Sequence, residues 1–161
     1  MAKATNPIPK GYHTITPSLT CRDAAKAIDF YKKAFDAQEL MRMPSPDGNK
    51  VSHAEIKIGD SVVFVSDEFP GMSAAPTPTS TPSYSLFLYV EDVETVFNRA
   101  VSAGAKVDMP MQDMFWGDRY GKVTDPFGHQ WGLAMHIEDV APDEIGRRAQ
   151  AFFAKAAGQN K

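Results

Sequence analysis

The sequence predicts an α+β fold in which one structural unit, a strand, a helix and then two or three strands, is used twice. Two segments carry apolar residues at helical spacing, and each is followed by strand-like sequence with a hairpin signal. The two copies align at an offset of 69 residues, which pairs Asp23 with Asp92 at the helix starts. The same offset pairs Gly59 with Gly128 at the hairpin turns. A repeat of this kind indicates two similar modules in one domain.

The first module is predicted over residues 11–75 and follows a polar N-terminal tail, residues 1–10. Alternating, Thr-rich sequence in "YHTITPSLTC" predicts its first strand. A helix is predicted over residues 22–36, with Asp23 as its N-cap, because a short acidic side chain can accept a hydrogen bond from the free backbone N–H groups of the first turn. The segment "KVSHAEIKIGDSVVFVSDE" then predicts two strands that turn at Gly59.

The second module, predicted over residues 83–140, is separated from the first by a linker, residues 76–82, whose prolines exclude regular structure. "YSLFLYV" predicts a strand, and the helix expected over residues 92–104 is closed by Gly104. "DRYGKVTDPFGHQWGLAMHI" predicts a hairpin that turns at "DPFG". Residues 141–161 predict a C-terminal helix and tail, whose apolar stripe would pack either on its own domain or on a second subunit.

Length, charge and cysteine content restrict the class of protein. The 161 residues suffice for one domain with its own core. The formal net charge of −3, without any basic run, argues against nucleic acid as a partner. Cys21 is the single cysteine, which indicates a reducing compartment, and a buried structural thiol is the expectation for it. The sequence lacks a long apolar run and a signal-peptide pattern, so we expect a cytoplasmic protein that does not bind membranes.

Specific motifs add a family resemblance. The doubled order of elements, "AIDFYKKAFDAQE" and "VTDPFGHQWGL" resemble the vicinal oxygen chelate superfamily, which includes glyoxalase I, bleomycin-resistance proteins and extradiol dioxygenases. "HAEIKIGDS" and "GYHTITPSL" narrow the resemblance to its PhnB-like branch. It covers about residues 11–140 and implies two tandem βαβββ modules whose mixed sheets curl into a cup, the glyoxalase/bleomycin-resistance fold. It also implies a homodimer, with each cup completed within one chain or between two.

The resemblance also locates the metal site of the superfamily. Metal-binding members place four His, Gln or Glu ligands on the inner face of the cup, on the first and last strand of each module. The matching positions in this sequence are Thr16, Val63, Ser85 and Gly132. Gly and Val offer no side-chain donor, and two hydroxyls are weak ligands for zinc, nickel or iron. We therefore expect no metal and no other cofactor there.

Strand alternation then assigns side chains to the cup or to the outer face. In the first hairpin Ile58 is expected opposite Ser61, and in the second Thr124 is expected opposite His129. The residues that this register places in the cup are Thr14, Thr16, Ser18, Ser52, Ala54, Ile56, Val63, Val65, Asp67, Ser85, Phe87, Tyr89, Arg119, Gly121, Val123, Gln130, Gly132, Ala134 and His136. The outer face is predicted to hold His53, Glu55, His129 and Trp131, the last as core against a helix.

Nine residues in or beside the cup are the candidate ligand-binding residues. They are Thr16, Ser18, Ser85, Phe87, Phe115, Trp116, Arg119, Gln130 and His136. The planar fork of Arg119 suits a carboxylate or phosphonate, and the alternative is an ion pair with Asp118 or Asp125.

Three of the other candidates also have a second interpretation. Phe115 and Trp116 either stack on a flat ligand, close over it as a lid, or belong to packed core. His136, at a strand end, is either an acid or base near neutral pH or an ordinary surface histidine.

Three functions fit this sequence. The first is a small-molecule binding protein of the resistance-protein type, which takes an anionic or aromatic organic ligand without the usual metal. The second is a metal-dependent lyase or isomerase with displaced ligands, drawn from His53, Glu55 and His136. The third is a scaffold module in which the dimer surface matters more than the cup. The fold by itself does not choose among them, because one scaffold hosts many reactions.

Overall fold

A computed structural model of the chain describes residues 4–77, 80 and 82–158, with side chains described as far as residue 155. Residues 78, 79 and 81 of the predicted linker lie outside the described residues. The elements, in chain order, are β1 (Ser18–Cys21), α1 (Ala24–Phe35), β2 (Gln38–Pro44), β3 (Val51–Ile58), β4 (Ser61–Asp67), β5 (Leu86–Tyr89), α2 (Val93–Ser102), β6 (Lys106–Asp113), β7 (Asp118–Thr124), β8 (Gln130–His136) and α3 (Pro142–Gly158).

The strands form two four-stranded mixed sheets of the same topology. The first sheet has the order β1-β4-β3-β2 and the second the order β5-β8-β7-β6. In each sheet the first strand of the module pairs in parallel with its last strand, while the other pairs are antiparallel. The prediction of an α+β fold built from two βαβββ modules is therefore confirmed.

The two module helices begin where the sequence predicts. Asp23 and Asp92 are the N-caps, and their carboxylates accept hydrogen bonds from the backbone N–H groups of Lys26 and Thr95, each at 3.1 Å. Satisfying an otherwise free N–H in this way stabilises a helix start by about 1 kcal/mol. The buried side of α1 includes Ile28 among its apolar residues. Each helix covers one face of its own sheet.

A buried hub joins the two modules. Trp131 of β8 packs against Tyr31 and Phe35 of α1, with ring centroids 5.4 and 4.6 Å away. The carboxylate of Asp125, in the "DPFG" turn, accepts hydrogen bonds from the Tyr31 hydroxyl at 2.8 Å and from Trp131 Nε1 at 2.9 Å. The prediction that Trp131 belongs to the core and packs against a helix is confirmed. That helix, α1, belongs to the other module.

The first hairpin has the predicted turn, but its faces are reversed relative to the prediction. Ile58 does pair with Ser61. However, Val63 and Val65 lie in the core that α1 covers, together with Ala54 and Ile56. The parallel register pairs Ser18 with Phe64, so Phe64 rather than Val63 shares the uncovered face.

The cause of this error is a one-residue slip within the repeat. Ser18 and Phe87 are 69 residues apart, but their parallel partners Phe64 and Gly132 are only 68 apart. A one-residue shift moves every side chain of a strand to the other face. The predictions that Val63, Val65, Asp67, Ala54 and Ile56 line the cup, and that His53 and Glu55 do not, were therefore wrong. Asp67 is instead buried and accepts hydrogen bonds from the backbone N–H groups of Ala24 and Val51.

The second hairpin is also shifted by one residue. Thr124 pairs with Gln130 rather than His129, so that five residues rather than four form the turn. Lys122 consequently lies opposite Gly132, and Gly121 turns to the helix side, where an added Cβ would be 2.8 Å from the Phe97 ring of α2. Arg119, Gly121 and Val123 were therefore wrongly predicted to face the cup.

Candidate functional site

The face of the second sheet that turns away from α2 carries a row of aromatic side chains, and we call it the aromatic face. Phe87 and Tyr89 belong to β5, Tyr120 belongs to β7, and Trp116 lies in the turn before β7. Phe87 is 49% exposed and Tyr89 60%. Single exposed apolar residues are common on protein surfaces, but contiguous clusters of them are not. An exposed cluster of large apolar side chains therefore indicates an interaction site.

Gly132 makes room for the central pair of rings. The Phe87 and Tyr120 rings are stacked, with centroids 5.3 Å apart and an interplanar angle of 8°. A Cβ added at Gly132 would lie 2.9 Å from Tyr120 Cε2 and 3.0 Å from Phe87 Cδ2. The missing side chain therefore lets two rings from different strands meet over the β8 backbone. The predicted placement of Phe87 and Gly132 on the same, uncovered face agrees with this geometry.

A buried carboxylate holds the neighbouring polar groups. Asp118 is only 2% exposed. It accepts hydrogen bonds from the Tyr89 hydroxyl at 2.8 Å, Trp116 Nε1 at 2.9 Å and His136 Nδ1 at 2.8 Å. Burial on its own raises the pKa of Asp118, but these hydrogen bonds outweigh it, so the pKa lies below its usual value. Asp118 therefore stays ionised and fixes the orientation of Trp116 and Tyr89.

His136 lies between two carboxylates at the end of the aromatic face. Its Nδ1 contacts Asp118, and its Nε2 lies 3.0 Å from Asp139 Oδ1. The hydrogen bond with Asp118, followed by that with Asp139, raises the pKa of His136 above the ordinary 6.5. An imidazolium donates from both nitrogens, which is what two carboxylate partners require. The geometry thus favours His136 as a cation over His136 as a free base.

Lys122 places a positive charge on this face. It lies directly opposite Gly132 in the β7–β8 register and so points to the same side of the sheet. Among the described residues, no carboxylate lies within ion-pair distance of its ammonium group. An unpaired cation next to stacked rings suits a planar ligand that carries an anionic group.

Arg119 does not belong to this site. Its Nε donates to Asp113 at 2.7 Å and its Nη1 donates to Glu94 of α2 at 2.8 Å. The helix-side position and the occupied guanidinium overturn the prediction of a ligand clamp. They equally overturn the alternative of an ion pair with Asp118 or Asp125.

The C-terminal helix packs beside the aromatic face of its own chain. The Phe115 ring lies 5.4 Å from that of Phe152 and 6.0 Å from that of Phe153, both on α3. Phe115 also makes an edge contact with Trp116 at 4.9 Å, and the Trp116 ring lies 6.0 Å from that of Tyr120. Phe115 and Trp116 thus connect α3 with the stacked pair.

The corresponding uncovered face of the first sheet holds a polar cluster. The Glu55 carboxylate accepts a hydrogen bond from the Tyr12 hydroxyl and lies 3.3 Å from His53 Nε2. The His53 ring makes an edge contact with Phe64, with centroids 4.9 Å apart. The hydrogen bond to Glu55 raises the pKa of Tyr12. Within the described residues, no hydrogen bond or ring contact connects this cluster with the aromatic face.

The residues at the four positions where metal-binding members of the superfamily carry their ligands are not suited to hold a metal ion. Correcting the register replaces Val63 with Phe64, so the four positions carry Thr16, Phe64, Ser85 and Gly132. None of them supplies an imidazole or a carboxylate, which the metals of this superfamily need. In the described part of the chain, no group of three or more His, Cys, Asp or Glu side chains could hold a metal ion.

The other candidate residues lie at the edges of the two uncovered faces. Thr16 lies two residues before β1 and Ser85 immediately precedes β5, while Ser18 begins β1 and Gln130 begins β8. A cleft of about 380 Å³ beside Phe87 and Tyr89 is lined on its far side by residues just before β1. The nine candidates are therefore spread along two sheets.

Two chemically reactive side chains are structural. His129 is 1% exposed, and its Nδ1 contacts the Tyr84 hydroxyl at 2.8 Å while its Nε2 contacts the Thr20 carbonyl at 3.1 Å. Cys21 is fully buried, and this burial raises its pKa to about 12. The prediction that Cys21 is a buried structural thiol is confirmed.

Sequence reasoning missed Tyr120, Lys122 and the central role of Asp118. All three lie on β7, whose faces depend on the length of the "DPFG" turn. A five-residue turn would have placed Asp118, Tyr120 and Lys122 on the face of Gly132, since these positions alternate. The alternation of these three residues was visible in the sequence. However, the glycine of the turn does not determine how many residues the turn contains, so the face could not be assigned.

The two mixed sheets, each with one helix-covered and one uncovered face, define a βαβββ-repeat protein of the cup-forming type. A profile of the Glyoxalase/Bleomycin resistance protein/Dioxygenase superfamily matches residues 12–133, and the chain belongs to this family. The resemblance stated from the motifs is thereby confirmed. Within the described residues, none of the helices has the length and apolar character to cross a membrane.

Individual relatives agree with this assignment. An uncharacterised protein of Mycobacterium tuberculosis is 47% identical over 135 residues, which cover 81% of this chain and 79% of that protein. The crystal structure of TioX from Micromonospora sp. ML1 has a TM-score of 0.61 at 30% identity, covering 76% of this chain and 98% of that one. A PhnB protein from Bacillus cereus has a TM-score of 0.61 at 22% identity, covering 76% and 99%, which shows the shared fold alone.

Proposed function

We propose that this protein binds a small planar organic anion on its aromatic face without the metal ion that other family members use. The observation that carries the proposal is the row of exposed rings next to an unpaired cation. A flat ligand gains stacking and apolar contact from Phe87, Tyr120 and Trp116. Its anionic group gains from Lys122 and from the imidazolium of His136.

Preorganisation supports the same proposal. Asp118 fixes Trp116 and Tyr89 through hydrogen bonds from below, so these rings do not need to become ordered when a ligand arrives. Rings that are already fixed lose little conformational entropy on binding, which favours affinity. The hydrogen bonds with Asp118 and Asp139 also raise the pKa of His136, which favours its cationic form beside the ligand.

We propose further that the cup is completed by a second copy of the chain. The family resemblance implies a homodimer, and both uncovered faces leave large side chains exposed. Met41 and Met43 of β2 are 41% and 49% exposed, and their register partners are Glu55 and His53 on the first sheet. A dimer that sets the first sheet of one subunit opposite the aromatic face of the other would cover both. Sedimentation equilibrium at micromolar concentration checks this, and a monomer would contradict it.

The binding proposal is tested with anilinonaphthalene sulfonate, a fluorescent aromatic anion. We expect saturable binding to the folded protein, and about three- to tenfold weaker binding after Trp116→Ala or Lys122→Ala, which corresponds to the loss of one stacking or charge contact. Lys33→Ala, an exposed lysine on α1, is the matched charge control. Equal affinities in Trp116→Ala, Lys122→Ala and the unsubstituted protein would refute the proposal.

The corrected register favours one second candidate, a metal-dependent lyase or isomerase. His53 and Glu55 share the uncovered face of the first sheet, where a substrate or a partner subunit could supply further ligands. The measurement is the metal content of the purified protein by mass spectrometry. About one tightly bound divalent ion per chain, lost in His53→Ala, would support this candidate. It would also overturn the proposal that the protein binds its ligand without a metal ion.

A further inference from the structure

The C-terminal helix α3 lies beyond the part of the chain that the family profile matches, which ends at residue 133. It is nevertheless attached to the aromatic face. The Ile137 and Glu138 N–H groups both donate to the Gly117 carbonyl, at 2.9 and 3.0 Å. Gly117 adopts a φ of +98°, and a Cβ there would collide with the backbone of Glu138. The segment that leads into α3 therefore packs directly against Gly117, the residue that follows Trp116.

An ionic contact holds the first half of the helix. The Arg148 guanidinium donates to both carboxylate oxygens of Glu138, each at 2.8 Å, and to Glu144 at 2.8 Å. The paired geometry with Glu138 fixes the direction of the helix as well as its attachment, because a bidentate contact restricts rotation. The helix direction places Phe152 and Phe153 next to Phe115.

These contacts extend the row of rings on the aromatic face. From the stacked pair the row continues through Trp116 and Phe115 to Phe152 and Phe153. Phe152 remains 38% exposed and Phe153 62% exposed, although both contact Phe115. Part of each ring is therefore free to contact a further molecule.

We propose that α3 supplies a wall of the ligand site and that Phe152 determines which planar ligands bind. This inference rests on the proposed function of the aromatic face. The ligand class is a planar anion long enough to reach from Tyr120 past Trp116, such as one with two ring systems. A ligand with a single short ring system stays on the stacked pair and does not reach the wall.

The experiment compares two probes on the full chain, anilinonaphthalene sulfonate as the long ligand and naphthalene sulfonate as the short one. Affinities are measured by fluorescence and by competition. Phe152→Leu removes the ring but keeps an apolar helix residue, so α3 can still pack. We expect it to weaken the long probe roughly three- to tenfold and the short probe less than about twofold. Gln150→Ala, on the same helix, should change neither.

A second readout reports on α3 itself. Trp131 is 2% exposed, so acrylamide quenching of tryptophan fluorescence reports mainly on Trp116. Arg148→Ala should release the helix, increase this quenching and weaken the long probe. Unchanged long-probe affinity in both Phe152→Leu and Arg148→Ala, with binding still lost in Trp116→Ala, would overturn the wall but leave the proposed function intact. If Trp116→Ala also binds normally, the proposed function itself fails.

Discussion

Replacing Asp125 by Ala tests the hub that joins the two modules. Its carboxylate accepts four hydrogen bonds, from the Tyr31 hydroxyl, Trp131 Nε1 and the backbone N–H groups of Phe127 and His129, at 2.8 to 2.9 Å. Tyr31 is 0% and Trp131 2% exposed, so their donors would find no water after the substitution. Of the two backbone donors, the Phe127 N–H is half-buried and the His129 N–H is buried.

The magnitude follows from these contacts. A buried donor that loses its partner costs about 1–3 kcal/mol, and two such side-chain donors, on Tyr31 and Trp131, remain in Asp125→Ala. The N–H groups of the turn add roughly 1 kcal/mol, while removal of a buried charge returns part of its desolvation cost. The net expectation is a loss of about 3–5 kcal/mol from a total of about 5–15 kcal/mol. In a protein of this size, the melting temperature should fall by roughly 6–20 °C.

The assay is urea unfolding followed by circular dichroism, with Asp29→Ala, an exposed aspartate of α1, as the matched control. Tyr31→Phe should cost about 1–2 kcal/mol alone, and much less in the Asp125→Ala background, because its partner is already gone. A loss below about 1 kcal/mol in Asp125→Ala, or full additivity of the two substitutions, would refute the reasoning.

Three further predictions concern single side chains. A nuclear magnetic resonance titration of His136 should give a pKa above 6.5, which Asp139→Asn lowers. The raised pKa stabilises the fold fully below about pH 6.5 and loses this effect as pH rises through the folded value, so Asp139→Asn should flatten that dependence. Cys21 should react with a disulfide reagent only after unfolding, since its pKa is raised to about 12; fast reaction of the native protein would contradict its burial. Gly132→Ala should displace the Tyr120 ring, cost about 1–3 kcal/mol and weaken anilinonaphthalene sulfonate binding, whereas unchanged binding would show that the stacked pair is not used.

The pattern of helices and turns could be predicted from the sequence because its causes are local. Asp23 and Asp92 act on the N–H groups three residues away, and the two-residue turn after Ile58 follows from Gly59 and Asp60 alone. These interactions do not depend on the rest of the chain. The helix starts and the first hairpin register were therefore correct.

The faces of the strands could not be predicted in the same way. Face assignment for β4 depended on extending the offset through a turn of different length, and one residue of error reversed the sheet. Burial would have corrected it: Val63 and Val65 suit a core, whereas His53 and Glu55 suit an uncovered surface. The "DPFG" motif likewise does not determine how many residues form the turn. Arg119 was assigned to the wrong face for that reason.

The position of α3 was open for a different reason. Its apolar stripe predicts only that something covers it, and Phe152 could equally have met a second subunit. The Arg148–Glu138 pair, which attaches the helix that carries Phe152, joins two positions ten residues apart and has no signature in the periodicity. Specific polar contacts of this kind become visible only in three dimensions.

The two modules have diverged into uncovered faces of opposite chemistry, and this leads to a last prediction. Glu55 pairs with Phe64, and Lys122 pairs with Gly132, so Glu55 and Lys122 occupy equivalent places in the two sheets. If a dimer sets these faces across one cleft, Glu55 repels the anion that Lys122 attracts. At a separation of about 9 Å in water, one charge contributes roughly 0.5 kcal/mol, or about a twofold change in affinity. Glu55→Gln should therefore tighten anilinonaphthalene sulfonate binding about twofold at low salt, with the effect disappearing at high salt. Asp29→Asn, at an exposed carboxylate on α1, serves as the control. Unchanged affinity in Glu55→Gln would mean that the two faces do not share a cleft, and that the aromatic face binds its ligand without the first sheet of a partner.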